Sequence, residues 1–582
     1  MRINTLAKTV LAFSALSLVA TTAVQAQVSE KEKDALLKIY DALEIDTGDW
    51  AVGDPCENKW HNIHCNKEKS EIRVFDVYHA HKKELPAEIG DLKDLRMITG
   101  WPSSLITKLP KEIKNLKKLE VLAFGNSRIK EIPKELGEAD NLKFINLSHS
   151  KLTGTIPKEL GNLKQLRHLE LSHNNLIGKI PKELGGLENI VCLDFAKNKL
   201  TGEIPKELGG DLRYLKLISL SQNRLKGKIP KELGDLDQLR VLNLNYNELE
   251  GEIPKELGNL KHLEDLLLWR NNLTGKIPKE LSNLSNIEQI QLGRNKLEGE
   301  IPKEFGNISS LRHLALYANK LTGEIPKEFG ELDNLTWLHV FSNKLEGEIP
   351  SDLQDMESIE KIELTDNALF TDNTDLDNFL DDKGGKNSNW SKTQTIAVTD
   401  LEASETTEDS TKLEWDTIEF TEGEGNYTVF IQEDDGEYEE YNSTDTKEDN
   451  NLTVEDLESD TDYCFKVRTQ TYYDGTTEHW SNERTVYSHF SNEVCITTNG
   501  GMMGGMGNNS SQNSSDSGSD EGSSSSDNSS SNNRSTDDAQ DTVSDMIDDA
   551  QNAMNEAKEQ AESMKNEAQS QIEVEQTQTS SI

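Results

Sequence analysis

The feature that most constrains this chain is a proline that returns about every 24 residues. Proline follows Leu or Ile at positions 86, 110, 133, 157, 181, 205, 230, 254, 278, 302, 326 and 350, in steps of 23 to 25 residues. Those are twelve of the fourteen prolines in the chain, so the period belongs to one segment and not to the composition as a whole. A unit this short cannot enclose a core of its own. Units that repeat at a fixed spacing stack into a solenoid, each covering the apolar edge of the next.

The cleanest unit reads Leu166-x-x-Leu169-x-Leu171-x-x-Asn174-x-Leu176-x-Gly178-x-Ile180-Pro181-Lys182-Glu183-Leu184-Gly185-x-Leu187. Leu169 and Leu171 alternate with other residues, which turns them to one side of a short strand and their neighbours to the other. The asparagine falls where the chain leaves the strand, where its amide can bond backbone groups that a sheet ladder does not reach. Asn174, Asn198, Asn223, Asn247, Asn271, Asn295, Asn319, Asn343 and Asn367 fill this slot, while Ser127 and Ser150 hold its first two copies. The whole pattern resembles the plant-specific class of leucine-rich repeat, found in receptor-kinase ectodomains and polygalacturonase-inhibitor proteins. The resemblance implies an α/β leucine-rich-repeat solenoid over 85–370. A parallel sheet would line its concave face, and a second small sheet would form around Leu-x-Gly-x-Ile-Pro. The near-identical Ile-Pro-Lys-Glu-Leu segments imply a uniform, solvated back.

Ahead of the repeats, residues 1–26 read as a signal peptide of bacterial style. Arg2 and Lys8 precede an apolar run from Val10 to Val24, and Val24-Gln25-Ala26 fits small-x-small cleavage. Over 27–84, Leu36, Leu37, Ile39, Tyr40 and Leu43 fall at helical spacing, and Asp49-Trp50, Asp54-Pro55-Cys56, Trp60 and Ile63-His64-Cys65 follow. This stretch resembles the N-terminal cap of plant-type repeats, with Asn62 where that family usually has glycine, and the resemblance implies a Cys56–Cys65 bridge. A zinc site from Cys56, His61, His64 and Cys65 is the alternative. After the last repeat, 371–392 reads as a C-terminal cap helix and linker.

Residues 393–498 change period. Leu413-Glu-Trp415, Tyr427 to Ile431, Leu452-Thr-Val454, Tyr463 to Val467 and Val494-Cys-Ile496 are short alternating runs between turns. Trp415 and the run Leu457-x-x-x-Thr461-x-Tyr463 resemble an all-β fibronectin type III sandwich, in which the tyrosine bonds upstream backbone at a corner. That resemblance puts Cys464 and Cys495 on the last two strands, as neighbours able to form a cross-strand disulfide. Cys192 is then an odd thiol. Residues 499–536 have the Gly, Met, Asn and Ser composition of a disordered linker. Over 537–572, Val543, Ile547, Ala550, Met554, Ala557, Ala561, Met564 and Ala568 recur at heptad spacing. This is an amphipathic helix or a weak self-associating coiled coil, followed by a disordered 573–582.

Charge narrows the partners. From Ser391 onward there are 9 Lys+Arg against 44 Asp+Glu, so most of the net −43 lies in the last third. Such a surface excludes nucleic acid and anionic membrane as partners. No later run is apolar enough to span a bilayer. No metal cluster, phosphate loop or nucleophile–base motif stands out, which gives a non-enzymatic chain with no cofactor and no metal.

The residues that vary between repeats are those turned outward from the strands. Two and six positions before the asparagine slot, aromatic residues collect in the C-terminal half. Trp269, Tyr317, Trp337 and Phe341 form the set, with Tyr246, Arg270, Arg294, His313 and His339 nearby. Aromatic and arginine side chains gathered this way are the usual make-up of a binding hot spot. These residues are expected to face solvent, with Gly293 leaving a gap between Tyr317 and Trp269. The leading reading is a secreted or cell-surface recognition protein that takes an extracellular protein, peptide or glycan on its concave face. The alternative is a structural or adhesive surface component with no specific ligand.

Overall fold

A computed structural model describes residues 28–498 except 45–52, 59, 61, 68, 78–83, 101–104, 385–389, 419–423, 434–435, 460, 475–482 and 489. The expected signal peptide, Gly/Met/Asn/Ser-rich linker and heptad helix lie outside the described residues. Two units are present: one takes the chain to Ile396 together with Thr471–His489, and the other takes Ala397–Gln470 and the chain from Phe490.

The first unit is a solenoid with two sheets. Fourteen short strands form the inner sheet, from Ile63–Cys65 to Lys361–Glu363. The first pair is antiparallel and every later pair is parallel. Successive strands pair one repeat apart in strict register, as in Leu217↔Val241 and Leu242↔Leu266. Nine strands of the Leu-x-Gly segments, from Ile177–Gly178 to Ala368–Phe370, make the second sheet. The backs are 3-10 turns, and among the described residues of this unit α-helix is confined to the two ends.

Each repeat proline explains one of those turns. Pro181, at φ −65°, immediately precedes the turn Lys182–Gly186, and the same arrangement recurs at all twelve repeat prolines. The ring fixes φ at the extended residue that leads into the turn, and the missing N–H is one the turn's own bonds do not use. Leu169, Leu171, Leu176, Leu184 and Leu187 are fully buried, forming one rung of a ribbon of leucine that runs the length of the unit. Two glycines recur in most repeats, for different reasons. Gly202 has φ +81°, left-handed backbone that side chains resist. Gly161 has ordinary backbone, but a Cβ there would collide with the Glu183 carbonyl of the next coil.

The asparagines form a ladder through the core. Asn247 Nδ2 donates to the carbonyls of Leu244 and Asn245 in its own coil and of Leu220 in the coil before. Its Oδ1 accepts the Leu225 N–H at 3.0 Å. The same bonds recur from Asn174 to Asn367. In the first two slots Ser127 and Ser150 bond each other at 2.8 Å, and Ser150 Oγ reaches the Phe124 carbonyl.

Both solenoid ends are covered. Helix α1, Glu30–Leu43, begins with a capping box between Ser29 and Glu32 and buries Leu36, Ile39, Tyr40 and Leu43, while Leu37 faces out. Tyr40 packs on Trp60 and Phe75 at 6.0 and 6.3 Å between ring centres. Cys56 is joined to Cys65, which rules out the zinc alternative for those two sulfurs. At the other end helix α2, Thr374–Gly384, buries Leu376 and Leu380. Beyond it, Gln394 stands where a further asparagine would. Its Oε1 accepts the Leu369 N–H at 3.1 Å and its Nε2 donates to the Leu364 carbonyl at 3.0 Å.

The strands from Thr399 onward form a β-sandwich. Thr399–Ser404, Thr411–Asp416 and Asn451–Val454 form one sheet. Glu439–Ser443, Glu424–Glu433, Asp462–Asp474 and Glu483–Tyr487 form the other, with Val494–Thr497 also pairing with Asp462–Asp474. Trp415, Tyr427, Val429, Phe465 and Val467 fill the core. The Tyr463 hydroxyl accepts the Glu458 N–H at 3.0 Å, forming the expected corner. Cys464 and Cys495 are register partners and are bonded. They do not lie on consecutive strands, because Glu483–Tyr487 comes between them in the chain. Thr399–Ser404, Glu439–Ser443 and Glu483–Tyr487 are strands that the alternation pattern missed, the first two being rich in Asp, Glu, Ser and Asn.

Candidate ligand-binding face

Each inner strand turns three residues away from the core, at six, four and two positions before the asparagine slot. In the last full coil these are Trp337, His339 and Phe341, with Leu338 and Val340 buried between them. Parallel register places the equivalents of neighbouring coils side by side, about 4.8 Å apart. An aromatic ring is wider than that spacing, so rings on adjacent coils must stack or lean.

They do both. His313 and Trp337 are 4.7 Å apart between ring centres. Trp337 stacks on His339 at 6.1 Å, and His339 leans on Phe341 at 6.4 Å. Tyr317 lies parallel to Phe341 at 4.7 Å, with 9° between the planes. A second group forms two coils earlier, where Tyr246 meets the edge of Trp269 at 4.3 Å and Arg270 sits over the Tyr246 ring at 4.6 Å. Tyr246, Arg270 and Arg294 all occupy the position before the asparagine, where the backbone is left-handed in every coil, at φ 51–56° for these three.

Two expectations are corrected. Trp269, Tyr317 and His339 do not face solvent, since each is only 5% exposed. Trp337, Phe341, His313, Tyr246 and Arg294 are half-buried, and Arg270 is exposed. The gap at Gly293 is also closed. A Cβ there would lie 2.6 Å from the Tyr317 ring, so Tyr317 covers the glycine. Both corrections have one cause, which is that narrow strand spacing lays each large ring over its neighbour's position.

The middle column carries polar residues that the sequence reading passed over. Beside His339, Glu363 lies 3.7 Å away and is held by Lys361 at 2.6 Å. Burial pushes His339 below the ordinary histidine value, so its ring is neutral at neutral pH. In the N-terminal half the column holds Asn146, Glu170 and Asp194. Asn146 Nδ2 donates to Glu170 Oε2 at 2.7 Å, and Asp194 Oδ1 accepts the Ala196 N–H. Register sets His168 beside Cys192 and Glu170 beside Asp194. Burial lowers His168 to about 4, with Arg167 adding to the shift. Burial, together with Glu170 and Asp194, raises the Cys192 thiol. His149 and His173 stack at 3.8 Å nearby. A His-x-Glu on one strand with a cysteine one repeat later was the signal available in the sequence.

Comparison with known proteins agrees with this architecture. Residues 134–272 match the leucine-rich repeat region family, 262–284, 310–332 and 334–356 match the leucine rich repeat, and 397–487 match the fibronectin type III domain. A stretch of 130 residues is 33% identical to receptor-like protein EIX2 of Solanum lycopersicum, covering 22% of this chain and 12% of that protein. The crystal structure of PEPR1–AtPEP1 is similar at 30% identity and a TM-score of 0.51, covering 59% of this chain and 52% of that one. The plant peptide hormone receptor RGFR1 in complex with RGF2 is similar at 27% identity and a TM-score of 0.47, covering 53% of this chain and 60% of that one. This chain therefore spans about half of PEPR1 and a small part of EIX2. Among the described residues, no helix is long and apolar enough to cross a membrane.

Proposed function

We infer that this chain, a plant-type leucine-rich-repeat solenoid followed by a fibronectin type III domain, is an exported, non-enzymatic recognition protein. Its inner sheet takes an extracellular protein, peptide or glycan. The observation that carries this reading is the run of packed rings in which half-buried His313, Trp337 and Phe341 rest on buried His339 and Tyr317. These residues sit on coils whose backs repeat nearly unchanged, so the coils differ mainly where a ligand would touch them. Half-buried rings held by their neighbours lose little freedom on binding, which favours them as anchors. Two disulfides fit an oxidising, extracellular setting. The similar PEPR1 structure, which is named as a complex with AtPEP1, supports a peptide as the first ligand class to try. The fibronectin-like unit acts as a spacer or a second contact.

The test is capture from extracellular peptide and glycan libraries with the full chain, followed by the double variant Trp337→Ala, Phe341→Ala. Removing a hot-spot aromatic costs about 2 kcal/mol or more, roughly thirtyfold in affinity. Because both rings are half-buried and Tyr317 rests on Phe341, stability should fall by about 1–2 kcal/mol. Leu338→Ala empties a core position and should cost about 3–5 kcal/mol. A folded double variant that keeps full affinity for the captured ligand refutes this site. Failure to capture any selective ligand favours the structural or adhesive reading.

A further inference from the structure

On the N-terminal half of the inner sheet, away from the aromatic set, three chemically different side chains converge. One ligand atom each from His168, Glu170 and Cys192 lies within 4.8 Å of the other two. His168 and Cys192 are register neighbours on adjacent strands, and Glu170 follows His168 by two residues on the same face. His168 is 7% exposed and its Nδ1 has no hydrogen-bond partner, although it points toward Glu170 Oε1 at 3.9 Å. A buried ring nitrogen left open in this way is a costly arrangement unless something else is meant to occupy it. Glu170 is held from behind by Asn146, whose Oδ1 accepts in turn from Ser148 Oγ at 2.7 Å. The other Glu170 oxygen, Oε1, lies on the His168 side. Cys192 is the one cysteine of five outside the two disulfides.

We propose that His168, Glu170 and Cys192 form a zinc-binding site on the inner sheet. The donor set selects the metal. Imidazole nitrogen, carboxylate oxygen and thiolate sulfur together suit a borderline tetrahedral ion, whereas calcium or magnesium would call for oxygen alone. Zinc–ligand distances of about 2.0–2.3 Å set tetrahedral donors roughly 3.3–3.6 Å apart, so closure from the present spacing needs side-chain rotation of about an ångström. Binding releases the Cys192 proton to solvent as the zinc–sulfur bond forms, and the fourth position is filled by water. Asn146 acts as a positioning residue through Glu170, as outer partners of metal ligands commonly do. The site stands apart from the aromatic surface and does not depend on the recognition reading.

Cobalt titration of the full chain, without reductant, tests the proposal. With four cysteines in disulfides, a thiolate-to-cobalt charge-transfer band reports Cys192 alone, and the acidic tail cannot produce it. The expected result is one equivalent of cobalt with that band, removed by added zinc and absent in Cys192→Ser. Asn146→Ala should keep the band but weaken cobalt binding by about 10- to 100-fold. The equivalents of Cys192 in the flanking coils are His168 and Leu217, so the column accepts varied side chains, and circular dichroism checks that each variant is folded. The proposal is overturned if the folded wild-type chain gives no band, or if the band survives in Cys192→Ser.

Discussion

Replacing Asn247 with alanine tests what holds one coil to the next. The side chain is 8% exposed and makes four hydrogen bonds. Three run from Nδ2 to the carbonyls of Leu220, Leu244 and Asn245, at 3.0, 3.1 and 3.2 Å. The fourth brings the Leu225 N–H to Oδ1 at 3.0 Å. Alanine fills none of these roles. The orphaned Leu225 N–H costs about 1–3 kcal/mol, whereas each carbonyl keeps another donor: Asn223 Nδ2 at Leu220, Asn271 Nδ2 at Leu244 and the Gln222 N–H at Asn245. The expected loss is therefore about 1–3 kcal/mol, centred on the Leu225 N–H. Asn247→Ser should fall between, because Ser150 already shows a hydroxyl reaching the preceding coil's carbonyl. Denaturant unfolding gives the total, and hydrogen exchange at the Leu225 amide locates it, since that N–H loses its acceptor. A loss below about 1 kcal/mol, or unchanged exchange at Leu225, would refute the claim that the amide ladder carries this energy.

Two further outcomes follow from the same coordinates. Gly161→Ala should destabilise the solenoid by about 1–3 kcal/mol or more, because the new methyl meets backbone of the next coil and not a side chain that can swing aside; denaturant unfolding checks it, and a neutral result would mean the coils are less tightly stacked. For His339, burial lowers the folded-state value while Glu363 opposes and Lys361 reinforces the shift, so on acidification the unfolded chain takes up the proton first. Wild-type stability should therefore fall as pH drops below about 6.5, and His339→Gln should flatten that part of the profile; parallel pH profiles of wild type and variant would sink the idea.

Much of this architecture was legible before any coordinates, and the reasons are local. A proline, an asparagine and alternating leucines each have one structural use at their spacing, and each repeats often enough to override a poor copy. What escaped depended on neighbours a full repeat away. No single coil reveals that Tyr317 lies over Gly293, or that Trp269 and His339 are buried by the rings beside them. Gln394 escaped because it arrives 27 residues after Asn367 instead of 24 and is a different amide. Glu170 and Asp194 escaped because only two of the three outward columns were read, and the third holds mostly short polar side chains. In the sandwich, Glu439–Ser443 is a strand by virtue of the partner it pairs with, against its own acidic composition.

The asparagine ladder also has a direction. Each amide serves the coil on its N-terminal side, as Asn247 serves Leu220 and Leu225, so every coil is completed by the one that follows it. A chain made from its N-terminus therefore always carries one unfinished rung at its growing end. The last rung, at Leu364 and Leu369, is closed by Gln394, ten residues beyond the end of helix α2. A ribosome that stopped after the final repeat would release every leucine of the solenoid and still leave it open at one end. The solenoid is closed only once a single glutamine outside the repeat pattern has been added.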